Sequence, residues 1–306
     1  MAADAPYSPP NEMPPAPIHR VLNGRTVLDQ FRLAGKVAVI TGAAGELCSC
    51  MAENLAWIGV KVALLDLDAS RAEQKAAVIR AGGGEAMGLA CDVLKEETIE
   101  ACRATIESTW GVADILINGA GGNNPAGTTD REFLERDHID DPDITTFFAL
   151  QTDGFQRVFD LNFLGTFLPT RIFARGMAEA GRGAILNISS MNAFTPLTKI
   201  PAYAAAKAAV SNFTQWLAVH FAHAGIRVNA IAPGFLMTEQ LKFLHIDQKT
   251  GELTPRAQQV IAHTPMSRYG EPEELLGAVV WLLSDAARFV TGIVVPVDGG
   301  FSSYSI

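Results

Sequence analysis

Cysteine is scarce, with only Cys48, Cys50, Cys91 and Cys102 among 306 residues. So few and so clustered, they exclude a disulfide framework, and Cys48 and Cys50, two apart, match neither a zinc pair nor a redox CxxC. Small buried thiols of a reducing cytosol are the expectation. No apolar run approaches the roughly 18–20 residues that span a bilayer. The opening MAADAPYSPPNEMPPAP has neither a basic n-region nor an apolar h-region, so it does not read as a secretory signal. Positive charge is also short: 24 Lys+Arg stand against 33 Asp+Glu, a net charge of −9. That balance excludes the basic footprint of a nucleic-acid or anionic-membrane binder. The absences together predict a cytoplasmic protein whose partner is a small molecule.

Apolar residues, in contrast, make up 48% of the chain, which suffices for a large core and excludes global disorder. Six of the 16 prolines fall in the first 17 residues, predicting an extended, mobile arm over 1–30. Beyond it, short β-branched runs alternate with helix-length stretches: KVAVIT (36–41), VKVALLD (60–66), EAMGLACDV (85–93), ADILIN (113–118), GAILNIS (183–189), IRVNAIA (226–232) and GIVVPV (292–297). Alternation of this kind specifies one α/β domain, over 31–306, with a Rossmann-type doubly wound parallel sheet of about seven strands and helices on both faces. Most of the runs are continuously apolar, as strands covered on both faces are. Ligands of such sheets bind beyond the carboxyl ends of the strands.

Thr41-Gly42-Ala43-Ala44-Gly45-Glu46-Leu47 follows the first strand and opens a helix through about Ile58. Small residues in a strand–turn–helix setting let backbone N–H groups approach a pyrophosphate. Asp66 ends the second strand, where a carboxylate accepts both hydroxyls of an adenosine ribose and repels a 2′-phosphate. Leu67 and Asp68 supply no compensating cation, so NAD is expected over NADP. Asp92, after the third strand, stands where an adenine amino group would lie, or else caps a helix.

Tyr203 and Lys207 are four apart in PAYAAAKAAVSNF, one helical turn, so both leave the same face. A neighbouring ammonium favours the phenolate and is expected to lower the Tyr203 pKa into the range of general acid/base work. Ser190, 13 residues upstream at the end of the fifth strand, offers a hydroxyl to a reacting oxygen. Asn162, in FDLNFLGTF, has no role legible on its own.

These residues stand in the order and spacing of a known family. TGAAGEL, the strand-ending Asp66, CDV (91–93), NGAG (118–121), Asn162, NISS (187–190), YAAAK (203–207), IAPGFLMT (231–238) and VDGG (297–300) make residues 33–301 resemble the short-chain dehydrogenase/reductase superfamily. The resemblance implies Tyr203 as acid/base, with Lys207 lowering its pKa and binding the nicotinamide ribose. It further implies Ser190 orienting the substrate oxygen and Asn162 holding a relay water. The implied cofactor site is Gly42, Ala44, Gly45, Glu46 and Leu47 at the phosphates, with Asp66, Leu67, Asp92 and Val93 at the adenosine. Asn118, Gly119, Ala120, Gly121, Pro233, Gly234, Phe235 and Thr238 would complete it, Asn118 also stabilising the central strand. Two departures stand out: the last two glycines of the family's TGxxxGxG fall at Glu46 and Cys48, and its NNAG has Gly119 second. A carboxylate beside a pyrophosphate is repulsive, so Glu46 either points to solvent or the loop differs, with Gly45 making the close approach.

SSMNAFTPLTKIPAYAAAK, SNFTQWLAVHFA and VVPVDGGFSSYS are most similar to the D-mannonate oxidoreductase (fructuronate reductase) branch, implying NAD-linked interconversion of D-mannonate and D-fructuronate. A sugar acid needs local cations and hydrogen bonds in a protein this acidic. Candidates are Asn123, Asn192 and Lys199, with Lys242 and His245 from 235–264, a stretch long enough to close as a lid. His220 and His223 lack a third ligand, and no metal is expected. Trp216, Leu217, Val219 and Phe221 read as helix packing, at a subunit contact if the homo-oligomer (tetramer or dimer) implied by the family forms. The rival readings are a gluconate 5-dehydrogenase, another polyol dehydrogenase or a 3-oxoacyl-carrier-protein reductase of the superfamily, and, from another class, a non-catalytic NAD-sensing protein. The last would commonly have lost the Tyr or the Lys.

Overall fold

The computed structural model describes residues 26–247 and 249–305. The expected proline-rich arm lies outside them as far as residue 25, and its last part is corrected: Leu28–Phe31 is a 3₁₀ turn, opened by Thr26 N–H donating to Asp29 Oδ2 at 2.7 Å.

Seven strands follow, each matching one apolar run: β1 Val37–Thr41, β2 Lys61–Asp66, β3 Ala86–Ala90, β4 Ile115–Asn118, β5 Gly183–Ile188, β6 Ile226–Pro233 and β7 Val294–Val297. The third run is shortened most, because Cys91 and Asp92 leave the ladder to start a turn. All pairings are parallel, in the order β3-β2-β1-β4-β5-β6-β7. Strand order therefore reverses between β1 and β4, and a crevice opens at their carboxyl ends.

The helices between them are α1 Glu46–Trp57, α2 Ala69–Ala81, α3 Glu96–Trp110, α4 Thr152–Phe159, α5 Gly165–Glu179, α6 Pro201–His220, α7 Glu239–His245, α8 Pro255–His263 and α9 Leu276–Leu283. Alternate side chains of β1 enter opposite layers: Ala38 and Ile40 pack with Met51, Leu55 and Val279, while Val39 packs with Ile99, Phe173 and Met177. Every residue of β1 is buried, as a strand covered on both faces must be. Along the outer face of α6, Leu217 is buried but Trp216 and Val219 are 56% and 79% exposed.

Polar groups inside this core are chained together. Asn118 Nδ2 donates to Thr170 Oγ1 and to Asn187 Oδ1, each at 2.8 Å, and Asn187 Nδ2 donates to Thr214 Oγ1 at 2.9 Å. The chain ties β4 and β5 to α5 and α6 at the centre of the sheet. Asn118 Oδ1 has no hydrogen-bond partner among the described residues, while the bonds that are made favour one arrangement of elements, because losing a buried partner is costly.

Between β4 and α4 the chain makes a long excursion through three short turns, and between β6 and β7 it forms α7 and α8. Val260, Ala257 and Tyr269 build a small core of their own there, against Phe235, Met237 and Ile261. Among the described residues, no helix is long and apolar enough to cross a membrane, and no cluster of His, Cys, Asp and Glu is placed to hold a metal. The four cysteines are free, three of them buried and Cys50 partly so.

Candidate active site

Three elements bring the polar residues together. At the end of β5, Ser190 caps a 3₁₀ turn, its Oγ accepting the Asn192 N–H at 3.2 Å. The neighbouring Ser189 Oγ donates to Lys207 O at 3.2 Å and pairs with Ser211 Oγ at 2.7 Å, which clamps α6 against β5. That clamp sets Tyr203 beside Ser190, whose hydroxyl is its hydrogen-bonding neighbour. Nothing in the residue pattern signals Ser189 and Ser211, because their role exists only once α6 is docked.

Asn162 lies in a π-turn, Asp160–Leu164, between α4 and α5. The widened turn rotates its side chain inward, where it is fully buried. Nδ2 donates to Gly122 O at 2.7 Å and to Val158 O at 2.8 Å, and Oδ1 accepts the Gly122 N–H at 3.2 Å. Nδ2 thus holds the β4 loop through Gly122 O and α4 through Val158 O, so both side-chain donors are spent within the protein. Gly121 sits between this residue and the lysine: a Cβ there would lie 2.6 Å from Asn162 Oδ1 and 3.1 Å from Lys207 Nζ. Asn162, Gly121, Lys207, Ser190 and Tyr203 thus converge at the carboxyl ends of β4 and β5.

The electrostatics correct one expectation. Lys207 Nζ, buried, donates to Ile188 O at 2.7 Å and stands 5.6 Å from the Tyr203 ring centroid. Burial pushes its own pKa down to about 8. The Tyr203 phenol is raised rather than lowered, because burial disfavours the phenolate more than the Ser190 hydrogen bond favours it. With its charge weakened by burial, the lysine does not bring the phenol down as expected.

At the phosphate turn, Gly42 has φ +64, and a Cβ there would meet Ala120 Cα at 2.8 Å, so only glycine lets the β1 and β4 loops touch. Ala43 N–H donates to Leu65 O at 3.1 Å and Gly45 leads into α1, leaving an open helix N-terminus beside the crevice. Asp66 Oδ2 accepts the Ala44 N–H at 2.9 Å, and Oδ1 accepts the Asp68 N–H at 3.0 Å. Each oxygen keeps acceptor capacity for a ribose hydroxyl. A cation does lie nearby, which the sequence reading missed: Arg71 Nη2 donates to Ala44 O at 3.2 Å. Leu67 is exposed and Val93 buried beneath Gly165. Asp92 Oδ1 accepts the Leu94 N–H at 3.0 Å, and Asp92 pairs with Lys95 at 3.4 Å, so its carboxylate also holds its own turn.

Glu46 turns toward α7. Its Oε2 accepts the N–H of Glu239 at 2.8 Å, reaching across to the first turn of α7. Thr238 caps the same helix, accepting the Leu241 N–H at 3.2 Å. Past Pro233, the end of β6, Gly234 N–H donates to Val297 O at 3.0 Å, and a Cβ on Gly234 would collide with Asp298 Cα at 2.6 Å. Phe235 packs edge-on to Phe301 at 5.4 Å.

The candidate substrate residues divide. Asn192 is 5% exposed, and its Oδ1 has no hydrogen-bond partner among the described residues. Asn123 Nδ2 donates to Thr128 Oγ1 at 2.9 Å. Lys199 has φ 73, a strained conformation for a non-glycine, and the Thr129 N–H holds its carbonyl at 2.9 Å. Two expectations are corrected. His245 is buried and shares a 2.7 Å hydrogen bond with Tyr269, where burial lowers its pKa. Lys242 pairs with Glu239 at 2.7 Å on a groove that also bears Glu46 and Glu271, away from Ser190 and Tyr203.

This geometry, a carboxylate-ended β2, a glycine-pinned helix start and a buried Tyr/Lys/Ser group, fits a dinucleotide lying across the crevice with its reactive end at Tyr203. A family model described as enoyl-(acyl carrier protein) reductase matches residues 42–302. An uncharacterized oxidoreductase of Haemophilus influenzae is 52% identical over 89% of this chain and 95% of its own. A crystal structure with bound NAD, of a Haemophilus influenzae protein provisionally described as a D-mannonate oxidoreductase, superposes with a TM-score of 0.85 at 52% identity, covering 90% of this chain and 97% of that one. A Burkholderia cenocepacia gluconate 5-dehydrogenase, in complex with NADP and tartrate, superposes with a TM-score of 0.78 at 30% identity over 92% and 100% of the chains. The chain belongs to the short-chain dehydrogenase/reductase superfamily, as an oxidoreductase acting on alcohol groups with a nicotinamide cofactor.

Proposed function

We propose that this enzyme interconverts a sugar acid and its keto form, D-mannonate and D-fructuronate, with NAD as the preferred cofactor. One observation supports the reaction: the buried Tyr203 phenol stands beside the Ser190 hydroxyl, with Lys207 one helical turn further along α6. A bound nicotinamide cofactor, which the turn over residues 42–45 and Asp66 would hold, would supply the hydride acceptor for the carbinol carbon and, reduced, the hydride donor for the ketone. Tyr203 takes the hydroxyl proton during oxidation and gives it back during reduction. Ser190, whose Oγ already accepts the Asn192 N–H, donates its own proton to the reacting oxygen as charge builds there. Lys207, its Nζ 5.6 Å from the Tyr203 ring centroid, is a cation on the same face of α6. Asn162 holds Gly122 and so the floor of the site.

The unpaired Oδ1 of buried Asn192, two residues from Ser190, supports a polyhydroxylated substrate, since a neighbouring hydroxyl would satisfy it. The sugar-acid descriptions of the two solved relatives support the same class. Asp66 supports NAD. The exposed Trp216 and Val219 on α6 support a homo-oligomer, which sedimentation measures.

The test follows NADH absorbance across hexonates, hexuronates and neutral polyols, with NADP in parallel. D-Mannonate is expected to reduce NAD and D-fructuronate to oxidise NADH. Tyr203→Phe should lower kcat by about 10²–10⁴-fold with NADH affinity unchanged. Oxidation of NADH by a neutral ketose but not by D-fructuronate would refute the substrate, and an undiminished Tyr203→Phe would refute the mechanism.

A further inference from the structure

A cavity of about 290 Å³ opens between the loop that leaves Ser190 and the helix α8, lined among others by Thr195, Thr198, Arg256, Gln259 and His263. Its wall begins five residues beyond Ser190. It includes Phe301, which joins it to Phe235 at 5.4 Å and to His263 at 4.5 Å. Hydroxyl, amide and imidazole groups facing one space are what a polyhydroxylated chain requires. Arg256 is the sole permanently charged cation among these lining residues.

Arg256 is weakly committed. Its Nη1 meets Glu132 Oε1 at 3.1 Å, a single contact between two side chains that are each about a third exposed, 34% and 33%. The rest of the guanidinium fork makes no other hydrogen bond among the described residues. Two other cavities of similar size suit an anion poorly. In one, Arg268 is spent on both oxygens of Glu274, at 2.7 Å each. The other is lined by Glu46, Glu53, Glu271 and Glu273 against two lysines.

We propose that Arg256 binds the carboxylate of the substrate, exchanging its single contact with Glu132 for a bidentate one. Glu132 lies on the excursion between β4 and α4, and Arg256 on α8, so the present ion pair joins the two segments that flank the cavity. A carboxylate ligand takes over that link as it enters, and a neutral ketose leaves it with Glu132. Arg256 is thereby the residue that makes the enzyme prefer an acid. The inference deepens the sugar-acid reading above and rests on it.

Three variants, Arg256→Gln, Arg256→Lys and Glu132→Gln, are compared with the wild type for kcat and KM on D-fructuronate and on D-fructose, a neutral ketose. Arg256→Gln should raise KM for D-fructuronate roughly 10–100-fold, the loss of a charge-assisted bidentate contact, with kcat and NADH affinity within about threefold. Arg256→Lys should fall between. Glu132→Gln breaks the same ion pair but keeps the cation, so KM for D-fructuronate should hold or fall. If both Arg256→Gln and Glu132→Gln raise KM for the acid and the ketose alike, the pair is merely structural and the proposal is overturned. It is also overturned if wild type uses D-fructuronate and Arg256→Gln leaves its KM unchanged. Should wild type reject D-fructuronate but bind D-gluconate as its NADH complex in calorimetry, loss of that binding in Arg256→Gln upholds Arg256 while the mannonate assignment fails. Absence of both leaves neither standing.

Discussion

Cys48 Sγ fills the space that a side chain at position 119 would occupy: a Cβ on Gly119 would overlap the sulfur and press on Thr41 O at 2.8 Å. The two departures from the family's glycine pattern are thus a matched pair. A larger residue in the phosphate helix is accommodated by a smaller one at the end of β4. Burial pushes the thiol up to about 12, so Cys48 behaves as a neutral packing group.

Gly119→Ala is therefore expected to destabilise the protein by about 1–3 kcal/mol, the usual cost of overpacking. Cys48→Ala in the same chain should recover part of the loss, because the sulfur is gone but the Thr41 carbonyl remains. Urea unfolding of the two single variants and the double variant measures the coupling. Additive effects would mean that the two sites are independent.

Glu46 links the phosphate turn to α7 through the Glu239 N–H. Removing the carboxylate frees a backbone donor at the first turn of a seven-residue helix, which has little stability of its own. Glu46→Ala should accelerate proteolysis within 239–263 and raise KM for the substrate several-fold, while NAD affinity changes by less than about threefold. A tenfold gain in NAD affinity would instead show that the carboxylate faces the pyrophosphate.

Much of this was legible in the sequence for a physical reason. Continuous apolar runs such as VAVIT and VALLD can only be covered strands, and the Tyr203–Lys207 spacing fixes a shared helical face before any packing is known. Residues whose role depends on two distant segments meeting were not legible. Arg71, Arg256 and Ser189 each find their partner only when separate elements dock, as does His245 with Tyr269, while Lys242 is claimed by Glu239 on its own helix. The sign of the Tyr203 shift failed for a related reason: spacing places the ammonium but does not report how deeply both groups are buried.

Arg71 and Asp66 flank Ala44 from opposite sides, one on its carbonyl and one on its N–H. The carboxylate repels a 2′-phosphate, and the guanidinium stands ready to receive one once that repulsion is removed. Asp66→Ser should shift the ratio of kcat/KM for NADP over NAD upward by at least about tenfold, a change of roughly 1.4 kcal/mol. Arg71→Ala added to it should cancel most of the gain in NADP use. If the double variant uses NADP as well as Asp66→Ser does, Arg71 has no part in reading the phosphate.

Lys207 gives the protein a pH signature. Its pKa falls from 10.5 to about 8 on folding, because burial disfavours the ammonium. Below pH 8 both folded and unfolded chains carry the proton, and the burial penalty is complete. Between pH 8 and 10.5 the folded chain has released it while the unfolded chain still holds it, so stability rises with pH. Tyr203, raised by burial, acts with the opposite sign only above about pH 10, where the unfolded phenol ionises first. Wild type should therefore gain on the order of 2 kcal/mol relative to Lys207→Met between pH 7.5 and 10, measured as the difference in urea unfolding free energy without ligand. Parallel curves for the two proteins over that interval would mean that the buried amine keeps its proton and that its neighbours, not water, satisfy its charge.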